Sequence, residues 1–520
     1  MGSEGGTNQV YVRALDSQEA RPLPGTEETF CSLVFSPDGQ WVAFYAEGKL
    51  KKVSLQGDPP VTLANAAGIH GMSWGPDNNI VFADPSVSGL QKVPAAGGTP
   101  QLITRVNFGK GEAAHRWPAY LPGGNAMLFA VLKRGRPDEA QIVAQRFDTG
   151  ERKVLVEGGT YPSYVSTGQL LFVRAGKLMA VPFNAESLET TGAPVPAGQN
   201  VMQTIEGAAE FGLSRSGSLI YVPGEQSLGT APVLVDRNGV TGKPLTGFPA
   251  DFYDWPSISP DGQRLAVSTG GEDIWVYDIP RGTLTRLTFD SKSHSPLWSP
   301  DGKWIAYSSR AAESTPNLFR RLANGSGSEE RLTNSKNMQQ LSSWSSDGKF
   351  LAFAELDFAT GFDIGVLPLE GKRTPVKFLQ TPSVERAATF SPDGRWLAYA
   401  SDESGREEVY ARPFPGPGEK RQISTEGGHD PIWARNGELF YRHGNKIMAV
   451  SVTTQPVFKA GASRLLFEGS YYWFIHRPNY DVTADGQRFV FLQSTDPPAK
   501  QINVVLNWFE ELKRRVPAAK

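Results

Sequence analysis

Short apolar segments with alternating polar positions recur along the whole chain, and each follows a polar turn. Trp-Ile-Ala-Tyr at residues 304–307 and Trp-Leu-Ala-Tyr at residues 396–399 are typical examples. A short apolar run bounded by Gly, Pro and Asp is typical of a β-strand, since a helix needs a longer run with a period of about 3.6 residues. The pattern therefore predicts a protein built almost entirely from β-strands.

The turn that precedes these segments is a repeat, Ser-Pro-Asp-Gly or a variant of it, and it occurs eleven times. Its fourth residue is, in successive copies, Gly39, Asn78, Gly124, Gly168, Gly217, Gly262, Gly302, Gly348, Gly394, Gly437 and Gly486. The first and last of these positions are 447 residues apart, so one repeat has about 45 residues. Proline presets the backbone of a tight turn, aspartate caps it and glycine tolerates positive φ. A repeat of this length predicts one four-stranded blade of a β-propeller.

Eleven blades are too many for one ordinary propeller, which usually has about four to eight. The repeat is interrupted between Pro223 and Pro232, with five copies before this segment and six after it. We therefore predict an all-β fold of two consecutive β-propellers with about five to six blades each. The first covers residues 1–228 and starts inside a blade, and the second covers residues 229–520 and ends in a short helix.

The sequence does not decide which strands close the ring of blades in each propeller. In the first ring, the strands around Val10 and Arg21 either complete the blade that begins at Ser214 or belong to a six-bladed ring that lacks an upstream segment. In the second ring, Val-Leu-Val at residues 233–235 is expected to pair with the blade that contains Thr483. The strand that begins at Asn503 competes for the same position.

Charge and composition exclude several classes of protein. The chain has 52 Lys and Arg against 54 Asp and Glu, a formal net charge of −2, whereas nucleic-acid binding favours a concentrated basic excess. A single Cys excludes an intramolecular disulfide. No basic and then apolar start is present, and no stretch approaches about 18 apolar residues. We therefore expect a soluble chain without a signal peptide, without membrane insertion and without a nucleic-acid partner.

The repeat resembles that of TolB-like periplasmic β-propellers, in which Ser-Pro-Asp-Gly precedes an apolar strand. Residues 401–418 (Ser-Asp-Glu-Ser-Gly-Arg-Glu-Glu-Val-Tyr-Ala-Arg-Pro-Phe-Pro-Gly-Pro-Gly) and 502–512 resemble the carboxy-terminal propeller region of bacterial eukaryotic-like serine/threonine kinases. The sequence has no Gly-rich phosphate loop with its Lys, no His-Arg-Asp loop and no Asp-Phe-Gly motif. The resemblance implies a sensor-like propeller region, without the kinase domain, in an extracytoplasmic context.

The repeat also predicts which side chains line the mouth of each channel, because equivalent positions of the inner strands meet there. The residue five positions before each turn motif is polar in most repeats. In the second half these residues include Asp254, His294, Gln340, Arg386 and His429, with Glu385 and Asp430 adjacent, and in the first half His70 and Arg116, with His115 adjacent. Four of the six histidines lie at or beside this position. We therefore predict a polar channel mouth that binds a ligand.

Two classes of function are compatible with this ring. In the first, the ring binds a small molecule, a cell-wall fragment or a protein, catalyses no reaction and requires no cofactor. In the second, His294, His429 and Asp254 hold a divalent metal, zinc or calcium, for a hydrolase of the lactonase, arylesterase or phosphotriesterase type. A structural interpretation is a solvated rim in which the histidines stack on Trp298 or Trp433. Of the two functions, we expect the non-catalytic, sensor-like binding protein.

Gly-Met-Ser-Trp-Gly at residues 71–75 matches the nucleophile pattern of serine hydrolases, and His70 precedes it. In those enzymes the serine lies on a sharp turn between a strand and a helix of an α/β sheet. Here the motif leads into a predicted hairpin, so we expect Ser73 to be a structural residue.

Overall fold

The computed structural model describes residues 2–4, 7–14, 16–17, 19–27, 29, 32–46, 48–66, 68–84, 89–107, 110–133, 136–204, 206–227, 229–270, 273–310, 315–357, 360–472, 478–496 and 501–516. These residues form 49 β-strands and one α-helix, which confirms the prediction of an all-β fold. The chain divides into two compact units. The first unit comprises Gln9–Gly229 and Asp496–Lys520, and the second comprises Met1–Asn8 and Thr230–Thr495.

Two short hairpins precede the blades. They are β1 (Gly2–Glu4) with β2 (Thr7–Gln9), and β3 (Tyr11–Val12) with β4 (Arg21–Pro22). Val10 and Leu23 of the second hairpin are buried in one apolar cluster with Phe44 of the following sheet.

Five sheets of the first unit begin with an inner hairpin, and the turn of each hairpin is a copy of the repeated motif. Their strands are β5 (Val34–Phe35), β6 (Trp41–Ala46), β7 (Lys49–Ser54) and β8 (Val61–Asn65); β9 (Met72–Trp74), β10 (Asn79–Ala83), β11 (Leu90–Pro94) and β12 (Gln101–Leu102); β13 (Glu112–Tyr120), β14 (Ala126–Lys133), β15 (Arg136–Arg146) and β16 (Arg152–Glu157); β17 (Thr160–Val165), β18 (Gln169–Arg174), β19 (Lys177–Asn184), β20 (Glu189–Thr190) and β21 (Val195–Asn200); and β22 (Phe211–Leu213) and β23 (Leu219–Tyr221).

The second unit contains six sheets built in the same way. Their strands are β24 (Thr230–Asp236) and β25 (Thr241–Pro244); β26 (Tyr253–Ile258), β27 (Arg264–Thr269), β28 (Ile274–Asp278) and β29 (Thr283–Arg286); β30 (Ser293–Trp298), β31 (Trp304–Ser309), β32 (Asn317–Leu322) and β33 (Glu330–Arg331); β34 (Gln339–Trp344), β35 (Phe350–Asp357), β36 (Gly361–Pro368) and β37 (Val376–Leu379); β38 (Glu385–Phe390), β39 (Trp396–Ser401), β40 (Glu408–Pro413) and β41 (Arg421–Gln422); β42 (His429–Trp433), β43 (Glu438–His443), β44 (Lys446–Thr453), β45 (Lys459–Ala460) and β46 (Arg464–Glu468); and β47 (Tyr480–Val482) and β48 (Arg488–Ser494).

The sixth sheet of the second unit joins the two ends of that unit. Strand β24 pairs antiparallel with β48, from Thr230 opposite Ser494 to Asp236 opposite Arg488, and gives the order β25-β24-β48-β47. This pairing confirms that residues 233–235 complete the blade that contains Thr483. Strands β24 and β25 thus supply the outer strands of the last blade, which connects the two ends of the unit.

The end of the chain returns to the first unit. Strand β49 (Asn503–Val505) pairs with β23, with Val505 opposite Leu219, and helix α1 (Trp508–Arg515) follows it. The alternative in which the strands around Val10 and Arg21 complete the blade that begins at Ser214 is therefore wrong, because β49 occupies that position.

Helix α1 is held in the first unit by its apolar side. Trp508 and Leu512 are 1% and 0% exposed and pack in one cluster with Leu171 and Leu219. Gln169 Nε2 donates to the carbonyl oxygen of Val516 at 2.8 Å. The sequence placed this helix with residues 229–520. Its location differs because its buried side chains complement the core of the first unit.

The repeated turn has the hydrogen bonds that its sequence predicts. Ser299 Oγ donates to Asp301 Oδ1 at 2.6 Å and accepts the backbone N–H of Trp304 at 2.9 Å. Gly302 has a φ of +68°, which glycine adopts without strain. The hydroxyl bond lowers the pKa of Asp301, although partial burial opposes it. The aspartates of these turns are therefore caps, as predicted.

The core consists of apolar layers between neighbouring sheets. In one layer, Ile364 and Val366 of β36 pack with Leu397 and Tyr399 of β39. Burial of each large apolar side chain contributes roughly 1.5–3 kcal/mol, so the layers hold the blades together. Hydrogen bonds between inner strands add to this packing, such as the bond from the backbone N–H of Ile258 to Asp481 Oδ2 at 2.7 Å.

Candidate ligand-binding site

In four blades of the second unit, the inner strand bends just after the residue that the repeat predicts to line the channel. The register of the inner hairpin shifts immediately after Asp254, His294, Arg386 and His429. The following residue has positive φ, at +47° for Trp255, +60° for Ser295 and +54° for both Ala387 and Asp430. A β-bulge of this kind interrupts the ladder and redirects a side chain. The bulge is thus the local structure that distinguishes the predicted position.

His294 stacks against the neighbouring blade. Its ring centroid lies 5.3 Å from that of Trp255, with the two planes inclined by 42°. The backbone N–H of Trp255 donates to Asn479 Oδ1 at 2.7 Å, which connects β26 with the segment just before β47. The structure therefore places His294 beside Trp255 and not beside Trp298.

Arg386 is fixed by a carboxylate of its own blade. The side chain is 3% exposed, and its Nε donates to Glu407 Oε1 at 2.6 Å while Nη2 donates to Oε2. A bidentate pair of this kind sets the plane of the guanidinium. Buried ion pairs contribute little net stability because desolvation offsets the attraction, so the pair mainly orients Arg386.

His429 and Asp430 form a second buried pair. His429 Nδ1 lies 3.0 Å from Asp430 Oδ2, and Tyr480 Oη donates to the carbonyl oxygen of Asp430 at 2.9 Å. Burial raises the pKa of Asp430, but His429, Arg386 and Arg442 outweigh burial and hold that pKa below its ordinary value. Asp430 is therefore an ionised carboxylate that interacts with the charges of Arg386 and Arg442.

Glu385 lies away from the ring although it is adjacent to Arg386. It is 1% exposed and accepts the hydroxyl hydrogen of Thr381. Burial, with smaller effects of Asp363 and Asp402, raises the pKa of Glu385 to about 7. Successive residues of a strand point to opposite faces, so the expectation that Glu385 joins Arg386 in the channel is corrected.

Two buried amides of the ring have hydrogen-bonding capacity that no described residue uses. Gln340 is 6% exposed, and its Oε1 has no partner among the described residues. Asn479 is 0% exposed, and its Nδ2 likewise has none in the described part of the chain. An unpartnered buried polar atom costs roughly 1–3 kcal/mol. One acceptor and one donor are therefore available to a bound molecule.

The metal hypothesis is not supported by the side chains that the structure describes. Among them, no three His, Cys, Asp or Glu side chains are close enough to hold an ion. His294, His429 and Asp254 belong to the described side chains, so they do not form a group of this kind.

The first unit has a smaller polar cluster at the equivalent position. Arg116 Nη1 donates to Glu206 Oε2 at 3.1 Å, and His70 Nδ1 lies 3.6 Å from the same oxygen. Burial, assisted by the charge of Arg116, lowers the pKa of His70 to about 4 despite the opposing charge of Glu206. His70 is therefore neutral near pH 7, and the cluster combines one cation, one anion and one neutral imidazole.

His115 is a structural residue. Its side chain is buried, with Nδ1 2.8 Å from Thr104 Oγ1 and Nε2 3.0 Å from Glu112 Oε2. Burial is the main reason that the pKa of His115 falls to about 4. Because it alternates with Arg116 along the strand, the expectation that it lines the channel is corrected.

Ser73 has a structural contact as well. Its Oγ accepts the backbone N–H of Tyr120 from the next blade at 3.1 Å. Strands β9 and β10 flank the motif, so the strand–turn–helix context of a hydrolase nucleophile is not present at these residues.

Sequence reasoning missed the partners that orient the ring. These are Glu407 just before β40, Arg442 on β43, Asn479 beside Pro478, and Glu206 three residues before Ala209. In other blades, the residue that follows the predicted channel position forms the bulge. Asn479 is the equivalent residue in the last blade, so a repeat analysis that includes this position identifies it. Glu407 and Arg442 carry no equivalent positional signal.

The comparisons with known proteins define the class of the fold. Residues 248–374 match the family model of the TolB beta propeller domain. This match confirms the predicted resemblance to TolB-like propellers. The resemblance to the propeller region of bacterial kinases stays a prediction. In the described part of the chain, no helix is long and apolar enough to span a bilayer.

Individual relatives are more distant. An uncharacterized protein of Agrobacterium fabrum (strain C58) is 28% identical over 315 residues, which cover 58% of this chain and 91% of the relative. A TolB-type protein from Agrobacterium tumefaciens has a TM-score of 0.43 at 16% identity, over 52% of this chain and 99% of its own. TolB from Acinetobacter baumannii has a TM-score of 0.32 at 16% identity, over 77% and 81%. The fold therefore rests on the sheets themselves and on the repeat match.

Proposed function

We propose that this protein is a non-catalytic, sensor-like binding protein with a TolB-like propeller fold, and that the ring of its second unit holds a polar ligand. The observation that carries the proposal is the set of polar side chains at one repeat position: Asp254, His294, Gln340, Arg386 and His429. Four of them, all except His294, are less than 10% exposed. Burial of polar groups is unfavourable unless they form hydrogen bonds, either within the protein or with a ligand.

The chemistry of the ring favours a ligand with amide or carboxylate groups. Gln340 Oε1 supplies an acceptor for an N–H group, and Asn479 Nδ2 supplies a donor for a carbonyl or carboxylate. Arg386 adds a guanidinium whose plane is fixed by Glu407. A peptide segment of a partner protein, a cell-wall peptide and a small polar molecule all have these groups.

A hydrolase is not proposed. That function needs a metal-ligand group or an activated nucleophile, and the ring residues described above supply neither. Binding needs only the hydrogen-bonding groups and the fixed geometry of the blades.

A thermal-shift screen tests the proposal, with amino acids, short peptides, cell-wall peptide fragments and disaccharides as probes. Each probe that stabilises the protein is then titrated by calorimetry into wild type and Gln340→Met. We expect at least tenfold weaker binding by Gln340→Met, because its side chain cannot accept a hydrogen bond. Gln487→Met, at an exposed turn, is the matched control and should bind like wild type. Equal binding by Gln340→Met would place the site elsewhere, and turnover of any probe would contradict the non-catalytic assignment.

A further inference from the structure

A groove lies between the third and fourth complete blades of the second unit, at the end of the sheet opposite to Gln340. Its volume is about 440 Å³, within the usual range for ligand sites. It is lined by Phe350, Val366, Pro368, Val376, Lys377, Phe378, Arg412, Pro413, Phe414, Pro415, Gly416, Pro417 and Gly418. Phe350 pairs with Pro368 next to the turn, whereas Gln340 pairs with Ala354 near the other end of its strand.

The floor of the groove is aromatic and well supported. The ring of Phe414 lies 5.1 Å from that of Phe350, 6.0 Å from that of Phe378 and 5.1 Å from that of Phe390. Val376 extends this apolar surface and is 58% exposed. Packed rings have little freedom to lose on binding, so the surface is suited to an apolar anchor side chain.

One positive charge in the groove lacks a carboxylate partner. Lys377 Nζ is paired with Asp363 at 3.1 Å and Glu355 at 3.2 Å. Arg412 Nε donates to Tyr399 Oη at 3.2 Å, and no described carboxylate forms an ion pair with Arg412. The groove therefore favours an occupant with a negative charge close to an apolar group.

The neighbouring strand favours an extended peptide as the occupant. Strand β37 is the outermost strand of its sheet, and no described strand pairs with its outer edge. Free backbone groups on such an edge pair with extended peptides, and adjacent pockets then select their side chains. Val376, Lys377 and Phe378 of β37 belong both to this edge strand and to the wall of the groove.

We infer that this groove binds a short extended segment of a partner protein, in which a large apolar residue lies next to Asp or Glu. The apolar residue contacts Phe378 and Phe414, and the carboxylate pairs with Arg412. This interface uses no residue of the channel ring, so it goes beyond the proposed function and does not depend on it.

A phage-displayed library of random dodecapeptides, selected on the purified full chain, tests the inference. The enriched sequences should share a large apolar residue within about two positions of Asp or Glu. A fluorescein-labelled peptide with the enriched sequence is then titrated by fluorescence anisotropy. Failure to enrich a shared motif, or a motif without an acidic residue, would overturn the inference.

Variants of exposed and half-buried residues locate the binding. Val376→Glu places a carboxylate in the groove and should weaken the peptide at least tenfold, whereas Val457→Glu, at a position 61% exposed in another blade, should leave the affinity unchanged. Arg412→Gln should weaken binding at least tenfold, and Arg412→Lys should retain most of it because the charge remains. Melting temperatures of all variants verify folding. Binding that persists in Val376→Glu, or is lost only in Gln340→Met, would overturn the groove as the site.

Discussion

Two adjacent glutamines of strand β34 should respond oppositely to the same substitution. Gln340 is at the repeat position predicted to line the channel, and its buried Oε1 has no partner among the described residues. Gln339 accepts a hydrogen bond from Thr333 Oγ1 at 2.5 Å and donates one to Glu355 Oε1 at 3.0 Å. Methionine is similar in size to glutamine and removes both polar atoms. Comparing methionine substitutions at the two positions therefore distinguishes a polar group that serves ligand binding from one that stabilises the fold.

The expected magnitudes follow from these contacts. Removal of the unpartnered Oε1 of Gln340 removes a penalty of roughly 1–3 kcal/mol, so Gln340→Met should raise the free energy of unfolding by about 1 kcal/mol or leave it unchanged. Gln339→Met should lower it by about 2–4 kcal/mol, because two buried hydrogen bonds are lost and one of them involves a carboxylate. Binding sites commonly keep side chains that serve function although these side chains lower the stability of the fold.

Urea denaturation followed by tryptophan fluorescence and circular dichroism measures both variants. The second unit should be analysed as its own transition, because two compact units need not unfold together. With a slope of about 1–3 kcal/mol/M, the expected difference between the variants is a midpoint separation of roughly 1 M or more. If Gln340→Met destabilises the protein as much as Gln339→Met, Gln340 is a structural residue and the reasoning about the ring is refuted.

Three further predictions concern the rest of the chain. Because the pKa of Glu385 is raised from 4.5 to about 7, its contribution to stability is full below pH 4.5 and is lost as the pH rises towards 7. In denaturation curves, Glu385→Gln should therefore become more stable relative to wild type between pH 4.5 and 7. A stability difference that stays constant over this interval would contradict the prediction. His70 should titrate near pH 4 by NMR, and Arg116→Gln should raise that pKa because a nearby positive charge is removed; an unchanged pKa would show that the two groups do not interact. Trp508→Ala should lower the free energy of unfolding of the first unit by about 3–5 kcal/mol in calorimetric scans; an unchanged first-unit transition would mean that helix α1 contributes little to its core.

The repeat carries most of the information about the fold. All eleven copies of the turn connect two antiparallel inner strands, because Pro, Asp and Gly specify the turn locally and the apolar run specifies the strand. Helix α1 was also recognised from its amphipathic pattern. Features that depend on a few adjacent residues were therefore accessible from the sequence.

Features that depend on distant partners were not accessible in the same way. Strand β49 pairs with β23, which lies nearly 300 residues earlier, and its short apolar pattern is compatible with either ring. Packing of Trp508 and Leu512 decides the pairing, and a pattern does not show which core an apolar side chain complements.

The ring of channel side chains stays a prediction, but the contacts of its residues are defined. Asp254, His294, Gln340, Arg386 and His429 occupy one repeat position, whereas Glu385 and His115 point elsewhere because side chains alternate along a strand. The bulges after the channel residues depend on positive φ at residues such as Trp255 and Ser295. No turn motif in the sequence predicts positive φ at these residues. The orienting partners Glu407 and Asn479 come from segments outside the strands.

Hydrogen–deuterium exchange of the full chain, with and without the probe that binds most tightly in the thermal-shift screen, tests the central claim most directly. We predict slower exchange in the inner strands of the second unit, above all in Tyr253–Ile258, Gln339–Trp344 and Glu385–Phe390, since a ligand in the ring covers them. Protection confined to the first unit, or to Val376–Leu379 at the groove, would contradict a binding site in the channel of the second unit.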